Sequence, residues 1–175
     1  MKIDIIGSFA YGLWTPESDI DIVYVNNGDH EPVSNILKKV HLILKGREAE
    51  CGIEKMYLNS DLKFPNIIIH LTSKLNRRKI DVAVFQYRNN GEKYVTFIKT
   101  QLSQNPFIQP LFFVFRKILK NFKLSNPTKG GIKTYALFLM LWIAVSCFPA
   151  NSLGQAFINV VLYFNHQFQY EEGKD

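Results

Sequence analysis

Gly7-Ser8-Phe9-Ala10-Tyr11-Gly12-Leu13-Trp14-Thr15-Pro16-Glu17-Ser18-Asp19-Ile20-Asp21-Ile22 decides how the rest of the chain is read. Lys2 to Gly7 alternates in hydropathy and runs directly into Gly7-Ser8. A strand is therefore expected to end there in a tight turn that opens a short helix-like segment. Backbone N–H groups at such a turn, together with the Ser8 hydroxyl, suit a phosphate. Ser18 to Val25 reads as the second strand. Asp19 and Asp21 are two apart on it, which directs both carboxylates to one face while Ile20 and Ile22 pack behind. Adjacent carboxylates repel unless a cation lies between them. Hard oxygen donors of this kind suit Mg²⁺ or Mn²⁺ together with substrate phosphates.

Holding two such ions roughly 3.5–4 Å apart for an in-line displacement calls for a third carboxylate. Asp81 is the candidate, an acid within the otherwise apolar run Lys79-Ile80-Asp81-Val82-Ala83-Val84-Phe85. An unpaired carboxylate buried there would be costly, so it should face a metal or a polar cleft. Taken alone, Asp81 reads first as a strand-end acid paired with the Arg77-Arg78-Lys79 run; together with Gly7-Ser8 and Asp19-Ile20-Asp21 it reads as the third carboxylate.

The remaining elements follow from periodicity. Asn26-Asn27-Gly28-Asp29 stops the second strand. Pro32 to Lys45 sets Val33, Ile36, Leu37, Val40 and Leu44 at helical spacing. Asn66 to Leu71 and Lys79 to Phe85 read as strands joined by the polar turn Thr72 to Arg78. After Asn89-Asn90-Gly91 the period becomes helical, with helices expected over Glu92–Gln104, Pro106–Phe122, Ile132–Phe148 and Ser152–Phe168. Ser125 to Gly131 breaks the second from the third. The expected class is α+β, with a mixed-sheet domain over residues 1–90 and an all-helical domain over 91–175. Thr134 to Phe148 is almost wholly apolar, but a spanning helix needs about twenty residues, so a core helix and no membrane association are expected.

Composition agrees and excludes several classes. The 175 residues are 47% hydrophobic, too apolar for a disordered or collagen-like chain. Cys51 and Cys147 are too few for a disulfide scaffold or a Cys-rich zinc module, which points to a reducing compartment. Met1 to Asp4 lacks the pattern of a secretory signal, so secretion is not expected. Residues 1–60 carry six Lys/Arg against nine Asp/Glu, a net −3, while residues 61–175 carry fifteen against six, a net +9. An acidic half followed by a basic half suits a metal site that handles a polyanion, although a solvated basic helix face explains the second half as well.

The Gly7-Ser8 … Gly12 … Asp19-Ile20-Asp21 pattern with a later strand Asp resembles the nucleotidyltransferase superfamily of DNA polymerase β. More narrowly, residues 7–22 resemble the noncanonical poly(A) polymerases and terminal uridylyltransferases. Pro110-Leu111-Phe112 … Arg116-Lys117-Ile118-Leu119-Lys120, followed by Asn126-Pro127-Thr128-Lys129-Gly130-Gly131-Ile132-Lys133-Thr134-Tyr135-Ala136-Leu137, is similar to their central domain. The Gly-Gly-Ile-x-x-Tyr-Ala-Leu form leans toward the poly(A) polymerase branch of nuclear RNA surveillance.

The resemblance implies a polymerase β-like palm followed by a partial central domain, and template-independent addition of AMP from ATP to RNA 3′ ends. It implies two Mg²⁺ or Mn²⁺ ions on Asp19, Asp21 and Asp81, with Asp81 helping to activate the RNA 3′-hydroxyl. Gly7 and Ser8 would hold the phosphates of the nucleoside triphosphate, and Lys120 and Arg116 would reach the triphosphate. Tyr135 would stack on the base beside Thr134, and Thr96 would meet the ribose. Partners implied are RNA and an RNA-binding or helicase protein, in the nucleus or, less favoured, the cytoplasm.

Three departures qualify the pattern. Arg116 stands where family members usually carry lysine. Members also carry helical residues before the first strand and continue well past the last helix, where their base-recognition loop lies. This sequence is thus expected to be part of a larger enzyme. Its alternatives are a uridylyltransferase or a catalytically inactive RNA- or partner-binding fragment.

Overall fold

The computed structural model describes residues 2–25, 31–59, 66–71, 79–85, 91–126 and 129–167. The turns expected at residues 26–29, 72–78 and 89–90, and the motif residues Pro127 and Thr128, lie outside them. The chain divides into two compact units, Met1–Lys99 and Thr100–Asp175. The helical period begins near residue 90, whereas the packing boundary falls within the first helix after it.

The first unit is built on a five-stranded mixed sheet. In chain order it contains β1 (Lys2–Ile6), α1 (Gly7–Tyr11), β2 (Ile20–Val25), α2 (Val33–Lys45), α3 (Glu48–Cys51), β3 (Ile53–Asn59), β4 (Asn66–Leu71), β5 (Lys79–Phe85) and the start of α4 (Gly91–Gln104). The strand order is β1-β2-β5-β4-β3. The β2–β5 pair is parallel and every other pair is antiparallel. Amphipathic α2 covers one face. Its Leu37 is fully buried with Ile67, Ile69 and Val84, and Val33, Ile36, Val40 and Leu44 pack around them. Because side chains alternate along a strand, Ile80 and Val82 join that core while Lys79 and Asp81 leave the opposite face.

Two of these elements are not expected from periodicity. A register shift between Ile53 and Lys55 interrupts β3, so Glu54 and Lys55 stand together where alternation would place one polar residue. The short α3 closes on Gly52 in the left-handed conformation. A further difference touches the candidate site. The second strand starts at Ile20, so Asp19 lies just ahead of it rather than on it.

The second unit is helical: the end of α4, α5 (Ile108–Asn121), α6 (Thr134–Cys147) and α7 (Leu153–Leu162), which continues as a π-helical turn over Tyr163–Gln167. Its core is Ile108, Leu111, Phe112, Leu137, Phe138, Leu141, Ala144, Val145, Ala156 and Val160. Trp142 of α6 donates to Gln101 at 2.8 Å, and Ser152 caps α7 by accepting from the Gln155 amide. The apolar stretch over 134–148 is thus a packed core helix, and no helix among the described residues is long and apolar enough to cross a membrane.

Candidate active site

The carboxylates are brought together by strand register. The parallel β2–β5 ladder sets Asp21 directly beside Asp81, and the antiparallel β1–β2 ladder sets Ile6 beside Asp21. The backbone just after β1 therefore passes against the Asp21 carboxylate. Gly7 sits there with φ +69°, and a Cβ built on it would overlap Asp21 Oδ2 and stand 2.9 Å from Cγ. Only glycine supplies both the left-handed backbone and the space. Asp19 is delivered by a closed turn in which Thr15 N–H donates to Ser18 Oγ and Ser18 N–H donates to the Thr15 carbonyl, each at 2.9 Å. Ser18 is buried, and Leu13 anchors the same loop as a fully buried side chain.

A cation of the chain itself enters this cluster. Lys79 Nζ donates to Asp81 Oδ2 at 3.0 Å and to Asp19 Oδ2 at 3.1 Å. Lys79 is offered by the sequence, with Arg77 and Arg78, as a partner for Asp81, but its contact with Asp19 leaves no sign there. Its spacing of two from Asp81 on a strand is the signal that puts both on one face. The other oxygen of Asp81, Oδ1, is buried and has no hydrogen-bond partner among the described residues.

The electrostatics follow from this crowding. Burial, then the charges of Asp81 and Asp19, push the Asp21 carboxyl from 3.8 up to about 6, with Lys79 pulling it back. For Lys79, burial opposes the charge, but hydrogen bonds to Asp81 and Asp19 outweigh it and hold its pKa above the ordinary value. One ammonium facing three carboxylates leaves negative charge uncompensated.

Negative charge left over in this way suits a divalent cation. The orphaned, buried Oδ1 of Asp81, the raised Asp21 and an all-oxygen donor set fit Mg²⁺ or Mn²⁺. No three His, Cys, Asp or Glu side chains among the described residues already converge as a preformed metal cage, and Lys79 stands between two of the carboxylates.

The other expected nucleotide contacts fall in both units. Ser8 is buried in α1 beside Gly7, and its carbonyl accepts from Leu13 N–H at 3.0 Å. Thr96 is exposed on α4. In the second unit, Arg116 on α5 donates to Thr134 Oγ1 at 3.2 Å, with its guanidinium carbon 6.0 Å from the Phe112 ring centroid. Tyr135 follows Thr134 in the first turn of α6 and is half-buried, and Lys120 is exposed one turn after Arg116. The loop before α6 is closed by Ile132 N–H donating to the Leu124 carbonyl at 2.8 Å. A Cβ on Gly131 would stand 2.5 Å from that carbonyl and 2.7 Å from the Asn126 backbone, so the second glycine of the motif is required by close approach.

Comparison with known proteins agrees with this architecture. The family model described as a nucleotidyltransferase domain matches residues 1–104. The chain is 22% identical to Poly(A) RNA polymerase protein 1 of Saccharomyces cerevisiae, over 97% of this chain but 27% of that protein. It therefore spans about a quarter of that curated relative's length. Among solved structures, it is similar to the noncanonical poly(A) polymerase complex GLD-2–GLD-3 (TM-score 0.78, 17% identity, 99% of this chain and 66% of that one). It is also similar to the RNA terminal uridylyl transferase Cid1 (TM-score 0.75, 13% identity, 96% of this chain and 61% of that one). With the sheet, the register-paired acids and a family match across more than half of its length, the chain belongs to the nucleotidyltransferase domain family.

Proposed function

We propose that the chain is the catalytic part of a template-independent RNA nucleotidyltransferase that adds AMP from ATP to RNA 3′ ends. The observation that carries this reading is the pairing of Asp21 with Asp81 across β2 and β5, with Asp81 Oδ1 buried and without a hydrogen-bond partner among the described residues. Asp19, Asp21 and Asp81 would hold divalent cations, which supply charge stabilisation for the phosphoryl centre when bound. The RNA 3′-oxygen forms its bond to the α-phosphorus as the bridge to the β-phosphate breaks. Pyrophosphate leaves, and the hydroxyl proton departs on the Asp81 side.

The protein's own part is positioning and electrostatics, since phosphoryl-type transfer needs little covalent work from it. Gly7 and Ser8 hold phosphate, Lys120 and Arg116 reach the triphosphate, Tyr135 stacks on the base beside Thr134, and Thr96 meets the ribose. The net +9 of residues 61–175 supports a nonspecific grip on the RNA backbone. A protein partner is proposed because GLD-2 is found in complex with GLD-3.

Likeness to Cid1 supports a second reading in which UTP replaces ATP. Incubation with an RNA and each nucleoside triphosphate separately, with Mg²⁺ or Mn²⁺, tests both. Extension with ATP alone is expected. Extension with UTP alone moves the assignment to uridylyl transfer, and no extension with any nucleotide overturns both.

A further inference from the structure

Lys79 and Asp81 leave the same face of β5, and the Lys79 ammonium reaches back to Asp19 as well. The chain thus carries a fixed positive charge between two of the three carboxylates expected to take a divalent cation. The compensation is partial. Asp81 Oδ2 is paired, whereas Oδ1 is buried without a partner among the described residues. Asp21, beside Asp81 in register, adds a third negative group to the cluster. The Lys79 and Asp81 side chains are 30% and 25% exposed, so the ammonium has a solvent path for withdrawal on its flexible four-carbon stem.

We propose that Lys79 is a built-in counter-ion of the carboxylate cluster that competes with the divalent cation for Asp19 and Asp81. The inference rests on reading those carboxylates as a divalent-cation site. Lys79 holds the metal-free cluster together against its own repulsion, and ion binding exchanges one ammonium for a doubly charged ion. Affinity for the ion is therefore set below that of the same carboxylates without Lys79.

The test uses the full chain and its Lys79→Gln and Lys79→Arg variants, titrated with Mn²⁺ alone and followed by loss of the free-ion EPR signal. Melting in EDTA is measured in parallel. Lys79→Gln is expected to melt lower in EDTA and to bind Mn²⁺ about tenfold tighter, because the competing charge is gone. Lys79→Arg, which keeps the charge, is expected to stay within about threefold of the parent.

Mn²⁺ binding by Lys79→Gln that is unchanged or weaker, with the parent still binding, overturns the counter-ion role and leaves the cation site standing. Binding to neither protein overturns both. Binding to Lys79→Gln but not to the parent supports the competition in its extreme form. Should Lys79→Gln be unfolded in EDTA, recovery of its native circular dichroism by Mn²⁺ supports the proposal. Failure of Lys79→Gln to recover, with Lys79→Met equally unrecovered, overturns it.

Discussion

The two units hold their charged groups in opposite ways. In the first, strand register pairs Asp21 with Asp81 beside a glycine with no room for a Cβ, a closed turn delivers Asp19, and Lys79 bridges Asp19 and Asp81. In the second, basic side chains are spread along helices, with Lys117, Lys120 and Lys123 all exposed at the end of α5. The proposed cation site calls for donors at fixed separations, and the β2–β5 register sets two of the acids side by side. A polyanion demands only charge density, which an exposed helix face supplies. Substitutions in the first unit should therefore act almost as switches, and those in the second as graded adjustments.

The largest effect is expected at the centre of the carboxylate cluster. Asp21→Ala should lower nucleotidyl transfer by about 10³-fold or more, with the circular dichroism spectrum unchanged. A loss of less than tenfold would break the contrast between the units. Next come the two constrained glycines, each changed to alanine. Gly7→Ala should destabilise by about 2 kcal/mol or more and also remove Mn²⁺ binding, because the new Cβ enters the space of the Asp21 carboxylate. Gly131→Ala should cost stability on the same order, through its collision with the Leu124 carbonyl, while leaving Mn²⁺ affinity intact. Denaturant melts with a Mn²⁺ titration separate the two.

A pH dependence follows from Asp21. Its carboxyl is raised from 3.8 to about 6 in the folded chain, so the folded state binds this proton more tightly than the unfolded one. The associated stability is present below about pH 4 and is lost as pH rises through about 6. Protons and divalent cations compete for the same oxygens, so Mn²⁺ affinity should rise over that window while metal-free stability falls. Thermal melts in EDTA from pH 4 to 7, compared with Asp21→Asn, isolate this contribution; an identical pH profile in the variant would contradict it. The smallest effect is expected in the basic unit. Lys117→Ala should weaken RNA binding only slightly and reduce the salt-dependence slope by about 0.7 if it contacts one phosphate.

Much of the fold was legible because its signals are local. Asn66–Leu71 and Lys79–Phe85 are short apolar runs with the observed strand limits, and α2 follows from Val33, Ile36, Leu37, Val40 and Leu44. β3 was not legible because its register shift places Glu54 and Lys55 side by side and destroys the alternation. Asp19 lies ahead of β2 because the Thr15–Ser18 hydrogen bonds keep the chain in a turn until Ile20. Of the candidate site, Asp19 and Asp21 are readable from their spacing of two and Asp81 from its place in an apolar strand. Lys79 is readable as a neighbour of Asp81 from its spacing of two on the strand, whereas its reach to Asp19, sixty residues away, is not. Long-range pairing of that kind is a property of topology and leaves no periodic trace in the sequence.

Asp81, aligned with Asp21 across the sheet, is the residue on which the proposed cation-dependent extension of RNA depends. With ATP and Mg²⁺ or Mn²⁺, the parent chain is expected to extend an RNA and Asp81→Ala is expected to give no extension, with its fold unchanged. Extension by Asp81→Ala at the parental rate would remove Asp81 from the reaction.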